Sequence, residues 1–166
     1  MRYLYDESNN PVGFGMQYPT ETKWENYYFA KNVQGDIVAI YRYDYNASTQ
    51  KPYGTLIATY QYDPWGNPRG IKDASGKTIA QTANHVATYN PFRYRGYRYD
   101  GDTGLYYLQS RYYDPMTCRF VNADKYASTG QGQLGHNMYA YCNNNAIRYD
   151  DQTGDCLLYT SDAADE

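Results

Sequence analysis

The stretch from Asn90 to Asp124 constrains the fold more than any other part of the chain. Its aromatic residues alternate with arginines. Strict alternation directs Tyr97 and Tyr99 to one face of a strand and the arginine between them to the other face. The strand then ends at Asp100, because aspartate can bond to the backbone of its own turn and Gly104 can take a positive φ. The stretch therefore predicts short strands joined by tight turns.

The composition favours the same structure over the whole chain. The 166 residues include 24 tyrosines against 4 phenylalanines and 2 tryptophans, together with 14 glycines and 7 prolines. Aromatic residues interrupted by turn formers are typical of strands rather than helices. We predict an all-β domain of antiparallel hairpins, long enough for a hydrophobic core of its own.

The charge pattern argues against two kinds of partner. The formal net charge is only −3, so we expect no nucleic-acid partner. The first ten residues lack the apolar core of a signal peptide, and no run approaches the ~18 apolar residues of a membrane helix. We therefore expect no membrane insertion by this segment.

Two aromatic and β-branched runs upstream predict a hairpin. They span residues 24–30 and 37–43 and flank a loop with Gln34 and Gly35 at its turn. Residues 44–54 are polar and contain a proline, which favours a longer loop before the next strand at residues 55–62.

Further turns follow from residue type. Asp63, Pro64 and Gly66 occupy the first, second and fourth places of a type I turn. A second hairpin turn is predicted at Pro64 and Trp65, a third over residues 101–103, and another turn begins at Asp114. Residues 81–89 show no period and 127–135 are rich in glycine, which favours loops at both places. The pattern at residues 137–142 predicts a short helix.

Several motifs in the second half of the chain resemble those of a known protein family. The run RYRGYRYDGDTGLYYLQSRYYDP, followed by RFVNAD and NMYAYCNNN, is similar to the RHS repeat-associated core that ends the tyrosine-aspartate repeats of RHS/YD-repeat proteins. The similarity extends to about Gly154 and predicts YD-repeat strands over 1–89 and the core over 90–155. Because Tyr3 to Asp6 already match a repeat unit, we expect the chain to begin inside a repeat.

The resemblance implies a structural role. It predicts part of a β shell in a secreted or surface-displayed bacterial polymorphic toxin that serves competition between bacteria. The implied partners are the remaining repeats and a C-terminal toxin domain that the shell encloses, and no cofactor is implied.

The last residues, 156–166, break with this pattern. They resemble the translation of a transposon adapter used in preparing sequencing libraries, so we exclude them from the functional argument. A natural acidic tail is the alternative.

The resemblance also implies that the chain cuts itself. In the family, two carboxylates cleave the chain after an Asp-Pro-x-Gly motif, one activating water while the other protonates the peptide. Asp151 and Gly154 match that motif, and Asp124 and Asp102 are the candidate acid pair. Each aspartate could instead cap its own turn. Because Gln152 replaces the motif's proline, we expect the cut to be weak.

Other reactive side chains give weaker signals. Cys118 stands where the family pattern has glycine, so a turn with positive φ would be strained there by on the order of 1 kcal/mol. His85 and His136 lie in segments without a motif, and the three cysteines lack metal-ligand spacing, so we predict no metal site.

Two alternative functions remain open at this point. Trp24 to Phe29 echo the aromatic repeats of cell-wall carbohydrate-binding proteins, although the echo occurs once. The other alternative is an independent hydrolase, for which the sequence offers only scattered carboxylates as support. The arginines of the central stretch could suggest nucleic-acid stacking, but acidic neighbours favour charge pairs and cation–π contacts for Arg93, Arg95, Arg98 and Arg111.

Overall fold

Antiparallel β strands are the main regular structure of the described residues, and the chain divides into two units. A computed structural model describes residues 1–18, 22–124, 137–151 and 153–154. One unit comprises Met1–Gln61 and Pro68–Gly96, and the other comprises Tyr62–Asn67 and Tyr97–Glu166. The predicted loop at 127–135, His136, Gln152 and the predicted non-native tail lie outside the described residues. The sequence division at residue 89 stays a prediction.

The first unit contains a seven-stranded sheet whose strands neighbour one another in chain order. The strands are β1 (Arg2–Tyr5), β2 (Pro11–Met16), β3 (Glu25–Lys31), β4 (Ile37–Asn46), β5 (Lys51–Tyr62), β6 (Pro68–Asp73) and β7 (Thr78–Ile79). The predicted pairing of residues 24–30 with 37–43 is confirmed by antiparallel β3 and β4. Together with the second sheet, this confirms the all-β prediction.

The loop predicted over residues 44–54 is wrong. Asp44 pairs with Tyr53 and Tyr45 with Pro52, so β4 and β5 form one long hairpin. The alternating tyrosines of β4 continue the strand period, and Pro52, as the second residue of β5, removes a single ladder donor close to the turn. Asn46 closes that turn, because its side-chain oxygen accepts from the backbone N–H of residues 48 and 49.

One turn design recurs through this part of the chain. The first residue is an aspartate or asparagine whose Oδ1 accepts from the backbone N–H groups two and four residues later. The residue three places on has a positive φ of 63–88°. The turns begin at Asp6, Asn32, Asp63 and Asp73. The predicted turns at Gln34-Gly35 and Pro64-Trp65 are thereby confirmed, and Gly66 donates to the Asp63 carbonyl at 3.0 Å.

Aromatic and aliphatic residues together form the core of the first unit. Phe14 and Ile40 are fully buried, and the ring of Phe92 contacts Tyr3 and Phe29 at 5.1 and 6.3 Å between centroids. The segment before Phe92, predicted as a loop, contains one helical turn, α1 (Val86–Tyr89). Its N-cap is His85, whose Nδ1 accepts from the Ala87 N–H at 3.1 Å, so this histidine has a structural role.

The second unit contains a four-stranded antiparallel sheet. Its strands are β8 (Arg98–Tyr99), β9 (Tyr106–Tyr107), β10 (Tyr112–Asp114) and β11 (Arg119–Phe120), in the order β11-β10-β9-β8. The predicted turn over 101–103 joins β8 to β9, and Gly104 there has φ +76°. Tyr97 and Tyr99 both place their rings against Tyr106, as their alternation predicts.

Buried tyrosines join this sheet to the turn at residues 62–67. Tyr106 donates its hydroxyl to the Gly66 carbonyl and Tyr113 donates to the Trp65 carbonyl, both at 2.8 Å. Each ring contributes apolar area while its hydroxyl satisfies a carbonyl of the turn. This explains why tyrosine rather than phenylalanine fills these core positions.

The helix predicted over residues 137–142 is replaced by tighter turns. Ala140 donates to the Asn137 carbonyl and forms an isolated bridge with Arg119. A 3-10 turn follows at Cys142–Asn144. Since Cys142, Asn143 and Asn144 all have positive φ, the backbone cannot continue as a right-handed helix. Among the helices of the described residues, none is long and apolar enough to cross a membrane.

Cys118 lies in the turn after Asp114, at the position where the family pattern has glycine. Cys118 has φ +59°, the conformation that favours glycine, as expected. We predict that Cys118→Gly raises the free energy of unfolding by about 0.5–1 kcal/mol, measured by urea denaturation. Cys118→Ala removes the same thiol contact with the Pro115 carbonyl but keeps the strained Cβ. A gain in Cys118→Ala equal to that of Cys118→Gly would contradict this explanation.

Candidate functional site

Arg111 is the centre of a buried polar cluster in the second unit. It directly precedes β10, and its side chain is 6% exposed. The guanidinium lies over the ring of Phe120 at 3.6 Å from the centroid, and Nη1 donates to the Met138 carbonyl at 3.2 Å. Stacking and hydrogen bonding together fix the plane of the group.

Two carboxylates meet on this guanidinium. Nη2 lies 3.1 Å from Oδ2 of Asp124 and 3.4 Å from Oδ2 of Asp151, whose side chains are 11% and 4% exposed. Buried charges of this kind persist only when they are paired and hydrogen-bonded. Asp151 meets that condition through its Oδ1, which accepts from the Gly154 N–H at 2.7 Å.

The segment from Asp151 to Gly154 is held along its backbone. Tyr97 donates its hydroxyl to the Asp151 carbonyl at 2.8 Å, and Ser110 Oγ donates to the Thr153 carbonyl at 2.9 Å. Arg111 Nε donates to the Gly154 carbonyl. The carbonyls of three residues in this short segment therefore have defined donors.

Gly154 fits because it has no side chain. Its φ is +73°, and a Cβ built on it would lie 2.7 Å from the Leu108 carbonyl oxygen and 2.8 Å from Ser110 Oγ. We call the surface formed by residues 108–111 the glycine cradle. Only glycine combines this backbone conformation with this close approach.

The structure brings together three of the predicted site residues: Asp124, Asp151 and Gly154. Asp102 lies in the exposed turn between β8 and β9, where its N–H donates to Asp100 Oδ1 at 3.0 Å. The other predicted turn residues have the expected local contacts. Asp114, for example, accepts from the Met116 N–H at 2.9 Å.

Sequence reasoning missed the role of Arg111. It predicted cation–π contacts for the arginines, and Arg93, Arg95 and Arg111 make them. The stronger signal was its spacing, since Arg111 lies two residues before the fully buried Tyr113 and residues two apart share a strand face. An inward arginine needs a carboxylate partner.

Cys118 is poorly suited to act as a nucleophile. Burial and the nearby charges of Asp63 and Asp114 raise the pKa of its thiol, which lowers the fraction of reactive thiolate.

Comparison with known proteins relates this chain to bacterial toxin proteins. No family model matches it. It is 38% identical over 130 residues to the tRNA nuclease WapA of Bacillus subtilis strain 168, covering 78% of this chain and 5% of that protein. It is 32% identical over 102 residues to the toxin subunit YenC2 of Yersinia entomophaga, covering 61% of this chain and 9% of that protein.

A solved structure gives the same relation. The crystal structure of TcdB2-TccC3 without its hypervariable C-terminal region matches with a TM-score of 0.59 and 26% identity, over 83% of this chain and 5% of that chain. The chain thus spans about one twentieth of the length of the first curated relatives and of this structure.

Proposed function

We propose that this chain is a segment of the β shell and core of an RHS-type polymorphic toxin and carries the site at which the shell releases its C-terminal toxin domain. Its relatives are toxin proteins, and one related structure is described as lacking a hypervariable C-terminal region. Export to the cell surface or medium and a role in competition between bacteria belong to this proposal.

The sheet of the first unit suits a shell built from repeats. Its strands follow in chain order, and each turn of the recurrent design is closed by its own first residue. Further hairpins can extend such a sheet by pairing with its edge strands. A longer shell could therefore form from the same strand pairing and the same turns that already repeat within this sheet.

The buried cluster around Arg111 is the observation that supports the proposed release site. It holds Asp124 and Asp151 on one guanidinium, next to the backbone of Asp151 to Gly154. Hydrolysis after Gly154 needs a carboxylate that takes a proton from water and an acid that gives one to the leaving nitrogen. In this proposal Asp124, the more exposed of the two carboxylates, takes the proton from water, and Asp151 is the second carboxylate of the pair.

The full chain tests this proposal. We expect incubation of the purified protein to yield a product that ends at Gly154, detected by intact-mass spectrometry. Since a general acid or base contributes about 10²–10⁴-fold, Asp124→Asn and Asp151→Asn should each slow the cut by at least about 100-fold. Slow cleavage of the unmodified chain is expected, because Gln152 lacks the restricted φ of proline.

Asp102→Asn is the matched control, because it makes the same change on an exposed turn. We expect it to leave the rate unchanged. Loss of the cut in Asp102→Asn with retention in Asp151→Asn would assign the second acid to Asp102. A chain that stays whole under all conditions would overturn the release site.

A further inference from the structure

We propose that Tyr107 and Tyr112 form a site of oxidative modification, at which a one-electron oxidant of the peroxidase type joins the two rings through a carbon–carbon bond. The product is a dityrosine within one hairpin. The inference goes beyond the proposed function, because it involves neither the carboxylate pair nor the release of a toxin domain.

Strand pairing places the two tyrosines side by side. Tyr107 of β9 is the direct cross-strand neighbour of Tyr112 in β10. The Leu108 N–H donates to the Arg111 carbonyl at 3.0 Å, so the adjoining tyrosine pair is a non-hydrogen-bonded pair, the kind in which side chains lie closest together. The two ring centroids are 5.1 Å apart, with 42° between the ring planes. The folded hairpin therefore holds two phenols next to each other.

Both phenols are also accessible to an oxidant. Tyr107 is 40% exposed and Tyr112 is 43% exposed. The Tyr107 hydroxyl donates to the Gln109 carbonyl, which restricts the rotation of this ring. Because the hairpin keeps the rings in contact, two radicals formed on them can combine without having to diffuse together, the advantage that positioning gives to any reaction between two groups.

The coupling reaction balances with hydrogen peroxide as the oxidant. Each phenol loses one electron and its hydroxyl proton, and so becomes a phenoxyl radical. A bond then forms between two ring carbons, one on each ring and each next to the carbon that bears the oxygen. Each of these carbons loses its hydrogen as a proton, and the two oxygens take up protons again. In total two electrons and two protons pass through the peroxidase to hydrogen peroxide, which becomes two molecules of water.

The preceding and following tyrosines of the same strands provide an internal comparison. Tyr106 and Tyr113 are also cross-strand neighbours, but they lie on the opposite face and are fully buried. Their ring centroids are 6.4 Å apart, and their hydroxyls donate to the carbonyls of Gly66 and Trp65. We therefore expect the modification to select the pair on the exposed face.

The link would close the loop that forms the glycine cradle. Residues 108–111 lie between the two tyrosines, and Gly154 packs against them. A covalent bond between the rings fixes the register of β9 on β10, because a shifted strand would move one ring to the other face. Oxidation would thus staple the hairpin that holds the segment from Asp151 to Gly154.

The test treats the full chain, in dilute solution, with a haem peroxidase and hydrogen peroxide. Trypsin cuts after Arg111, between the two tyrosines, and releases residues 99–111 and 112–119 as separate peptides. We expect mass spectrometry to find these two peptides joined, with a mass two hydrogen atoms below their sum. The pair should stay joined after treatment with a thiol reductant, which separates peptides linked by a disulfide.

Matched variants locate the bond. Tyr107→Phe and Tyr112→Phe each keep the ring but remove the phenol, so we expect loss of the joined peptides in both. Tyr106→Phe and Tyr113→Phe make the same change on the buried face and should retain them. Joined peptides that persist in Tyr107→Phe or Tyr112→Phe, or their absence from the oxidised unmodified chain, would overturn the proposal.

Two further measurements do not depend on the folding of any variant. Fragmentation of the joined peptides from the unmodified chain should assign the bond to Tyr107 and Tyr112, and assignment to another pair would overturn the proposal. Oxidation of the chain in urea should lower the yield of joined peptides, because unfolding separates the strands. An equal yield from the unfolded chain would show that the hairpin does not direct the coupling.

Discussion

Tyr113→Ala is expected to lower the free energy of unfolding by about 3–5 kcal/mol, the range for truncating a large buried aromatic residue. Tyr113 is fully buried, and its ring contacts those of Tyr106, Phe120 and Tyr141 at centroid distances of 6.4, 6.0 and 4.0 Å. Removing it opens a cavity in the centre of the second unit. Urea denaturation followed by tyrosine fluorescence measures the loss.

Two neighbouring variants check the cause. Tyr113→Phe keeps the ring and removes the hydroxyl that donates to the Trp65 carbonyl, so a loss of about 0.5–1.5 kcal/mol is expected. Tyr112→Ala removes a half-exposed ring on the opposite face of β10 and should change the stability far less than Tyr113→Ala. Equal losses of unfolding free energy in Tyr112→Ala and Tyr113→Ala would contradict the burial of only one face of β10.

Gly154→Ala is expected to displace the segment from Asp151 to Gly154 and to abolish the cut. The added Cβ would lie 2.7 Å from the carbonyl oxygen of Leu108, and backbone cannot yield as a flexible side chain can. Overpacking costs about 1–3 kcal/mol, and a left-handed backbone at a residue with a Cβ costs roughly 1–2 kcal/mol. The product ending at position 154 and the urea midpoint are measured together.

Gly104→Ala provides the matched control. Gly104 also has a positive φ, +76°, but the nearest heavy atom to an added Cβ would be the Tyr99 hydroxyl at 3.9 Å. It therefore suffers the backbone strain without the steric clash. Cleavage should persist in Gly104→Ala, and cleavage that also persists in Gly154→Ala would show that the glycine cradle does not position the peptide.

The parts of the fold that were predictable from the sequence are the ones determined locally. The turn that begins at Asp63 depends on hydrogen bonds that reach only four residues along the chain, so residue types are sufficient to predict it. The backbone strain at Cys118 was predictable for a similar reason, because it depends on the φ angle of that one residue. Local prediction failed at residues 44–54. Pro52 favours a loop locally, but pairing between β4 and β5 keeps this segment extended.

The candidate site was only partly predictable for the same reason. Asp124, Asp151 and Gly154 were found through their motifs, but the pairing of Arg111 with Asp151 joins residues 40 positions apart. The spacing of Arg111 before Tyr113 indicates an inward arginine, but the identity of its carboxylate partner depends on tertiary packing. The sequence therefore favoured Asp102, which belongs to a conspicuous turn motif, as the acid partner, whereas the structure pairs Asp151 with Arg111 beside Asp124.

The recurrent turns have a consequence for how a long shell could form. Each of them is closed by the side chain of its own first residue, so little chain entropy is lost before the flanking strands can pair. Contacts between neighbours in sequence also favour rapid folding. We expect a hairpin of this design to add to the sheet as soon as its few residues are available, so that a protein of many repeats can fold progressively from one end while the remainder of the chain is still unfolded.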